Sequence, residues 1–171
     1  IEKVSILVKE DIAVHILSAN ALQSIYVNQT KIYMRGLSVT NNVLSPQDQL
    51  QCDVAPGLLR VLKYRNTFGS VICESCRFVS NKRQCITVTE GAILTLQKCL
   101  VSNNKPDCKA PIQVQSGATL SAINSTFVFN EAYGSSGAIE VQGVNSVLQV
   151  DESLFTSNRA RNSNGGAVAV Y

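Results

Sequence analysis

Tryptophan is absent from this chain, histidine and methionine occur once each, and charged residues make up only 16%. Each shortage removes a class of protein. No apolar run approaches the ~20 residues of a membrane-crossing helix, so the segment carries no such span. No window of twelve or more residues shows a sustained helical stripe, which excludes a bundle and the usual strand–helix–strand sheet. The net charge of +3 is small, and aromatic residues do not interleave with the basic ones, so nucleic acid is not an expected partner.

Catalytic signatures are missing as well. The twelve Asp and Glu residues are scattered. Glu10-Asp11 and Asp151-Glu152 are sequence neighbours, so on a strand their side chains point to opposite faces instead of forming the paired carboxylates of glycosidic acid–base chemistry. There is no G-H-G, N-x-D or R-x-K, no glycine-rich phosphate loop and no serine nucleophile elbow. A single histidine, His15, is a weak basis for general acid–base work. Alternation points it outward, whereas alignment to Asn20 places it inward, and both readings stand. The chain is expected not to be an enzyme and to need no cofactor or metal.

What is present is repetition. Asparagines 42, 81, 104, 130 and 158 each close a similar unit. Three residues before them stand Val39, Phe78, Val101, Phe127 and Phe155. Five before stand Leu37, Cys76, Cys99, Ser125 and Ser153, and ten before stand Ile32, Val71, Leu94, Leu120 and Leu148. Upstream runs a β-type pair: Ile25/Val27, Leu59/Val61, Ile86/Val88, Ile112/Val114, Ile139/Val141 and Val168/Val170. Pair starts are 34, 27, 26, 27 and 29 residues apart. From pair to asparagine the distance stays between 17 and 22, whereas from asparagine to the next pair it ranges from 5 to 17. One near-constant arm and one elastic arm is the behaviour of a solenoid, whose stacked strands hold register while loops absorb insertions.

Apolar alternation has period two. Ile86, Val88, Leu94 and Leu96 face one way while Thr87, Thr89, Thr95 and Gln97 face the other. The expected fold is therefore all-β: a right-handed parallel β-helix of about six coils of ~27 residues, in one domain over residues 1–171, with coils ~4.8 Å apart. The closing asparagines are expected to stack as a column at a sharp corner, because asparagine tolerates left-handed backbone and its amide can bond neighbouring backbone. A leucine-rich-repeat solenoid is the alternative, but the spacers here carry strand pairs and G-A turns in place of a helix or leucine-rich arc. Val4, Ile6, Val8 and Ile12, Val14, Ile16 suggest a first, less regular coil closed by Asn20. Residues 43–58, with Pro46, Pro56 and Gly57, form the largest loop. Val168 to Tyr171 begins a coil with no polar cap, so the chain is expected to be part of a longer one.

Phe78-Val79-Ser80-Asn81, Phe127-Val128-Phe129-Asn130 and Phe155-Thr156-Ser157-Asn158 match F-x-x-N. Gly165-Gly166-Ala167-Val168 matches G-G-A-[ILV], and Ser136-Gly137-Ala138-Ile139 matches it with serine first. Together these motifs resemble the repeats of chlamydial polymorphic outer-membrane proteins and of pectate-lyase-like extracellular β-helix proteins of algae and other protists. The resemblance covers residues 59–171 best, with Val39 and Val101 standing for the phenylalanine in two units. It implies a right-handed β-helix acting as a surface adhesin or extracellular structural module.

Six cysteines, an even number, suit an oxidising compartment. Cys76 and Cys99 occupy equivalent positions, five before their asparagines, and Cys85 and Cys108 lie four after. Stacked coils would bring each pair within disulfide range, leaving Cys52 and Cys73 over. Cys73-x-x-Cys76 invites a zinc or redox reading, but no second such pair follows, and on a strand the two side chains diverge. Asn28-Gln29-Thr30 and Asn124-Ser125-Thr126 are N-glycosylation triplets at outward positions. The loops after the asparagines should emerge along one edge, lining up Lys82, Arg83, Lys105, Lys109, Arg159 and Arg161, with Asp107 and Glu131 only partly offsetting them. Such an edge would attract an acidic glycan or an acidic protein face. The functional expectation is an extracellular structural or surface module, a stiff rod in a fibre, coat or wall that self-associates or joins other subunits. The alternatives are an adhesin or glycan-binding module and a non-catalytic relative of polysaccharide lyases.

Overall fold

The computed structural model describes residues 5–7, 14–16, 22–27, 31–41, 59–63, 70–82, 84–107, 109–134, 136–162 and 166–171. Two strands come first, β1 (Ser5–Leu7) and β2 (Val14–Ile16). Strands then recur in threes: β3 (Leu22–Val27), β4 (Lys31–Arg35), β5 (Ser38–Thr40); β6 (Leu59–Lys63), β7 (Ser70–Glu74), β8 (Arg77–Val79); β9 (Ile86–Thr89), β10 (Ile93–Gln97), β11 (Leu100–Ser102). The next set is β12 (Ile112–Gln115), β13 (Thr119–Ile123), β14 (Thr126–Val128) and a short β15 (Glu131–Ala132). The last is β16 (Ile139–Gln142), β17 (Val147–Asp151), β18 (Leu154–Thr156) and a short β19 (Arg159–Ala160), before β20 (Val168–Val170) starts again.

Equivalent strands stack into three walls. The first holds β2-β3-β6-β9-β12-β16-β20, the second β1-β4-β7-β10-β13-β17, and the third β5-β8-β11-β14-β18, with β15 and β19 pairing beside them. From β3, β4 and β5 onward every pairing is parallel. The fold is an all-β parallel solenoid of about four turns. Six coils were expected; the third wall, from β5 to β18, contains four complete returns.

The first expected coil is not one. β1 pairs antiparallel with β4, and β2 pairs antiparallel with β3. These strands cover the edges of the second and first walls at the N-terminal end, so their alternation reflects an edge strand and not a turn of the solenoid. Elsewhere the expected registers hold. Ile32, Val71, Leu94, Leu120 and Leu148 are neighbours in one column, as are Val39, Phe78, Val101, Phe127 and Phe155. Ile25 is the exception. It sits beside Val61, not Leu59, a shift of two residues.

The inward residues form one core. Val71, Phe78, Ile86, Leu94, Leu96, Ile112, Leu120, Phe127 and Ile139 are fully buried. Phe127 and Phe155 stack with ring centroids 4.4 Å apart, as a residue repeated in register on parallel strands must. The Gly-Ala turn before the first wall has a steric reason. A Cβ on Gly137 would lie 2.4 Å from the Arg159 backbone nitrogen and 2.6 Å from the Gly166 carbonyl oxygen.

The corners are made differently from expectation. Asn81, Asn104, Asn130 and Asn158 do not take left-handed backbone; the residue before each one does, and so does Asn41. Asn41, Ser80, Asn103, Phe129 and Ser157 have φ between 53° and 57°. The corner from second to third wall repeats the device with Gly36, Ser75, Lys98, Asn124 and Glu152. One such residue per corner turns the chain while its amide still bonds the next coil, as Ser80 N does to Ser102 O at 3.0 Å and Lys98 N to Ile123 O at 3.0 Å.

Phe129 is the poorest fit for its corner, since bulky residues pay about 1–2 kcal/mol in left-handed backbone, and it is largely exposed. Phe129→Asn should therefore stabilise the protein by about 1 kcal/mol and raise Tm by roughly 2–4 °C in a thermal melt. The reverse exchange at the equivalent corner, Asn103→Val, should lower it.

Candidate functional site

Two polar ladders run through the interior. In the first, the Asn81 side-chain amide donates to Val39 O at 3.0 Å and to Asn104 Oδ1 at 2.9 Å. Asn104 donates to Phe78 O at 2.9 Å and Asn130 Oδ1 at 2.9 Å; Asn130 donates to Val101 O at 2.8 Å and Asn158 Oδ1 at 2.9 Å. Asn158 donates to Phe127 O at 2.8 Å. Each Oδ1 also accepts the backbone N–H of the preceding asparagine, at 3.0–3.1 Å. One side chain thus reaches the coil before and the coil after it. Asn81, Asn104 and Asn130 are fully buried. Asn42, the first of the expected column, lies outside the described residues.

The second ladder occupies the position five before each asparagine. Ser153 Oγ donates to Ala122 O at 3.1 Å, and Ser125 Oγ to Leu96 O at 3.1 Å. Cys99 Sγ continues the series to Cys73 O at 3.1 Å, and Cys76 Sγ to Met34 O at 3.7 Å. In the reverse direction Ser125 Oγ accepts from Cys99 N, and Ser153 Oγ from Ser125 N, both at 3.0 Å. A thiol here does the work of a hydroxyl.

Cys73, Cys76, Cys85 and Cys99 are buried, and Cys76 and Cys99, expected to be bridged, stand in adjacent coils at equivalent positions as thiols in this structure. The left-handed Ser75 turns the chain between Cys73 and Cys76, and both enter the core. This corrects the expectation that they diverge, which holds only on an uninterrupted strand. Cys85 lies beside Pro111, whose carbonyl accepts its N–H at 2.8 Å. The expected Cys85–Cys108 bridge has one partner, Cys108, outside the described residues. Burial pushes the Cys85 thiol up to about 12, against a bond from Asn81. Cys52 and Cys108 lie outside the described residues.

The expected basic edge is partly assembled and differently charged. Lys105, Glu131 and Arg159 follow their asparagines in register, with Lys105 N bonded to Asn81 O, Glu131 N to Asn104 O and Arg159 N to Asn130 O at 2.8–2.9 Å. Lys82 and Arg159 are exposed and Lys109 is half-buried. Glu131 sits in the middle and neutralises more than expected. It pairs with Lys105 at 3.5 Å and bonds the Arg161 guanidinium directly. Arg161 also donates to Tyr133 Oη at 2.7 Å and lies 4.9 Å from the centre of its ring. The Arg161 hydrogen bond holds the Glu131 carboxyl below its ordinary value, with Lys105 adding to the effect. Arg83 lies outside the described residues.

Of the two glycosylation triplets, Asn124 is exposed at a left-handed corner, its amide 3.1 Å from Glu152 Oε2. Asn28 lies outside the described residues, as do Glu10 and Asp11. Among the described residues no three His, Cys, Asp or Glu side chains are grouped to hold a metal, and no helix is long and apolar enough to cross a membrane.

Sequence reasoning missed one feature of the first wall. Thr87, Thr89, Gln113 and Glu140 alternate outward yet are buried. Gln84 donates to Gln113 at 3.3 Å, Gln113 to Gln142 at 3.3 Å, and Gln142 to Glu140. The outward alternation of Thr87 and Thr89 was visible in the sequence, but their burial was not. No protein-family model, curated protein or solved structure matches the chain.

Two outcomes follow. Asn104→Ala removes the acceptor for Asn81 N and for one bond of the Asn81 amide, and the donor to Phe78 O, and should cost about 3–5 kcal/mol, read from the urea midpoint; Asn158→Ala, half-buried at the last turn, should cost less. Glu131 has a depressed pKa in the fold, so its contribution is present above its ordinary value of 4.5 and is lost as pH falls through the folded value. The Tm difference between wild type and Glu131→Gln should be largest near neutral pH and shrink progressively below pH 4.5.

Proposed function

We propose that the chain is a stiff, right-handed parallel β-helical module that serves a structural role at the cell surface or outside the cell. The observation that carries this reading is the asparagine ladder. It runs unbroken from Asn81 to Asn158, locking each coil to the next without any gap that would let the stack bend or open. Supporting it is the last turn, where β17, β18 and β20 end their sheets and the inward Leu148, Phe155 and Val168 are only half-buried. Strand edges beside partly covered apolar groups are a surface on which a like subunit can pair. The extended outer walls, sparse charge and even cysteine count fit a surface or wall assembly that joins like subunits or other extracellular proteins, and the proposed role is not enzymatic.

A second reading, a glycan-binding or adhesive module, is favoured by one cluster. Tyr133 is exposed next to Arg161, an aromatic face beside a cation, and Lys82, Lys105 and Arg159 continue along the same edge. Sugar rings stack on such faces, and acidic groups meet such cations.

An antibody raised to the purified domain should label intact, non-permeabilised source cells, and sedimentation velocity should show concentration-dependent self-association. Labelling only after permeabilisation would overturn the extracellular reading. A strictly monomeric domain that binds an acidic polysaccharide, and loses that binding in Lys82→Glu/Arg159→Glu, would replace the structural reading with the adhesive one.

A further inference from the structure

The corner between the second and third walls collects three thiols that neither the repeat nor the ladders require to be cysteine. The column of Cys76 and Cys99 is filled by Leu37, Ser125 and Ser153 in other coils, and that of Cys73 by Met34 and Leu96. Cys73 ends its run on β7, Cys76 follows the left-handed Ser75, and Cys99 stacks on Cys76 from the next coil. All three are buried, at 0%, 0% and 3% exposure. Cys99 Sγ lies 3.1 Å from the Cys73 carbonyl oxygen, Cys99 stands over Cys76 in register, with Leu100 N bonded to Cys76 O at 2.9 Å, and Cys73 and Cys76 flank the left-handed Ser75 of one corner. Cys76 is thus the shared neighbour.

We infer that Cys73, Cys76 and Cys99 form a reversible disulfide site in which Cys76 bridges either to Cys99, linking adjacent coils, or to Cys73, linking the two sides of one corner. This goes beyond the structural role proposed above and does not depend on it. The chemistry needs an oxidant of the small-molecule disulfide class, such as oxidised glutathione. The Cys76 thiolate attacks one of its sulfurs, expelling one glutathione thiol and forming a mixed disulfide. The Cys99 or Cys73 thiolate then attacks the Cys76 sulfur and expels the second glutathione thiol. Two protein thiols have given up two protons and two electrons, and one glutathione disulfide has become two thiols.

The surroundings make this site slow to react and easy to reverse. The bond with Cys73 and then burial raise the Cys76 thiol to about 12, and the bond with Cys76 and then burial raise that of Cys99 further. Thiolate is scarce at neutral pH, so oxidation waits on higher pH or a local opening of the corner. Closing the Cys76–Cys99 bridge also removes the S–H donors that satisfy Met34 O and Cys73 O. That loss favours return to the thiols.

The test is oxidation of the purified chain by oxidised glutathione at pH 9 and pH 7, followed by alkylation and peptide mapping without reduction. Cleavage after Glu74, Arg77 and Lys98 separates the three cysteines. Wild type should give Cys76–Cys99 as the main bridge, formed at least about tenfold faster at pH 9 than at pH 7, as thiolate supply requires. Cys99→Ser should bridge Cys73 to Cys76, Cys73→Ser should retain Cys76–Cys99, and Cys76→Ser should leave Cys73 and Cys99 alkylated. Serine already fills the column of Cys76 and Cys99 in two coils, whereas Cys73 stands in line with Met34 and Leu96, and circular dichroism checks that each variant folds. Wild-type Cys76 remaining alkylated after prolonged oxidation, Cys76 pairing with Cys52, Cys85 or Cys108, or a Cys73–Cys99 bridge in Cys76→Ser would each overturn the assignment.

Discussion

The structure depends on satisfying a buried amide at every turn. An asparagine side chain brings two donors and an acceptor, and leaving them unpaired in an apolar interior costs about 1–3 kcal/mol per group. Asn104 meets the demand only if one coil lies directly before it, offering Phe78 O, and one directly after, offering Asn130 Oδ1. The ladder therefore selects parallel stacking in a single register. A slip by one residue would strand all of these groups together and turn Phe78, Val101 and Phe127 outward.

Other features follow from that register. Once the asparagines are stacked, the phenylalanine three residues earlier must stack on its equivalents, which gives the parallel rings of Phe127 and Phe155. The position five residues earlier faces a carbonyl of the coil before, so it takes a hydroxyl or a thiol. The left-handed residue before each asparagine sets the direction of the corner and leaves the amide free to point inward. Variation is confined to the loops after the asparagines. There Lys105, Glu131 and Arg161 make an exposed ion-pair group that contributes little to holding the coils together.

Much of this was legible in the sequence because a solenoid repeats its constraints. Four equivalent residues per column made the inward positions of Val71, Leu94, Leu120 and Leu148 readable, and made the asparagine column readable with them. What was not legible lies where the repeat stops or where geometry bends between letters. Strands β1 and β2 alternate like any others, and nothing in three residues distinguishes an antiparallel edge from a parallel coil. The left-handed corner residues, Ser80, Asn103, Phe129 and Ser157, share no side-chain chemistry, so only the backbone reveals them. Ser75 had the same effect on the cysteines: treating 73 to 76 as one strand separated two thiols that its corner brings together. On the basic edge, Glu131 was read with Asp107 as only partly offsetting six cations, but its position between Lys105 and Arg161 gives it two partners.

The central claim is that the asparagine amides, and not the apolar columns alone, fix the register. Hydrogen exchange of asparagine side-chain amides by nuclear magnetic resonance tests it most directly. The Nδ2 protons of Asn104 and Asn130, bonded on both sides, should exchange only on global unfolding, alongside the backbone amides of Asn81, Asn104 and Asn130. Those of exposed Asn103 and Asn145 should exchange quickly. Rapid exchange at Asn104 and Asn130 in an otherwise protected core would contradict the account.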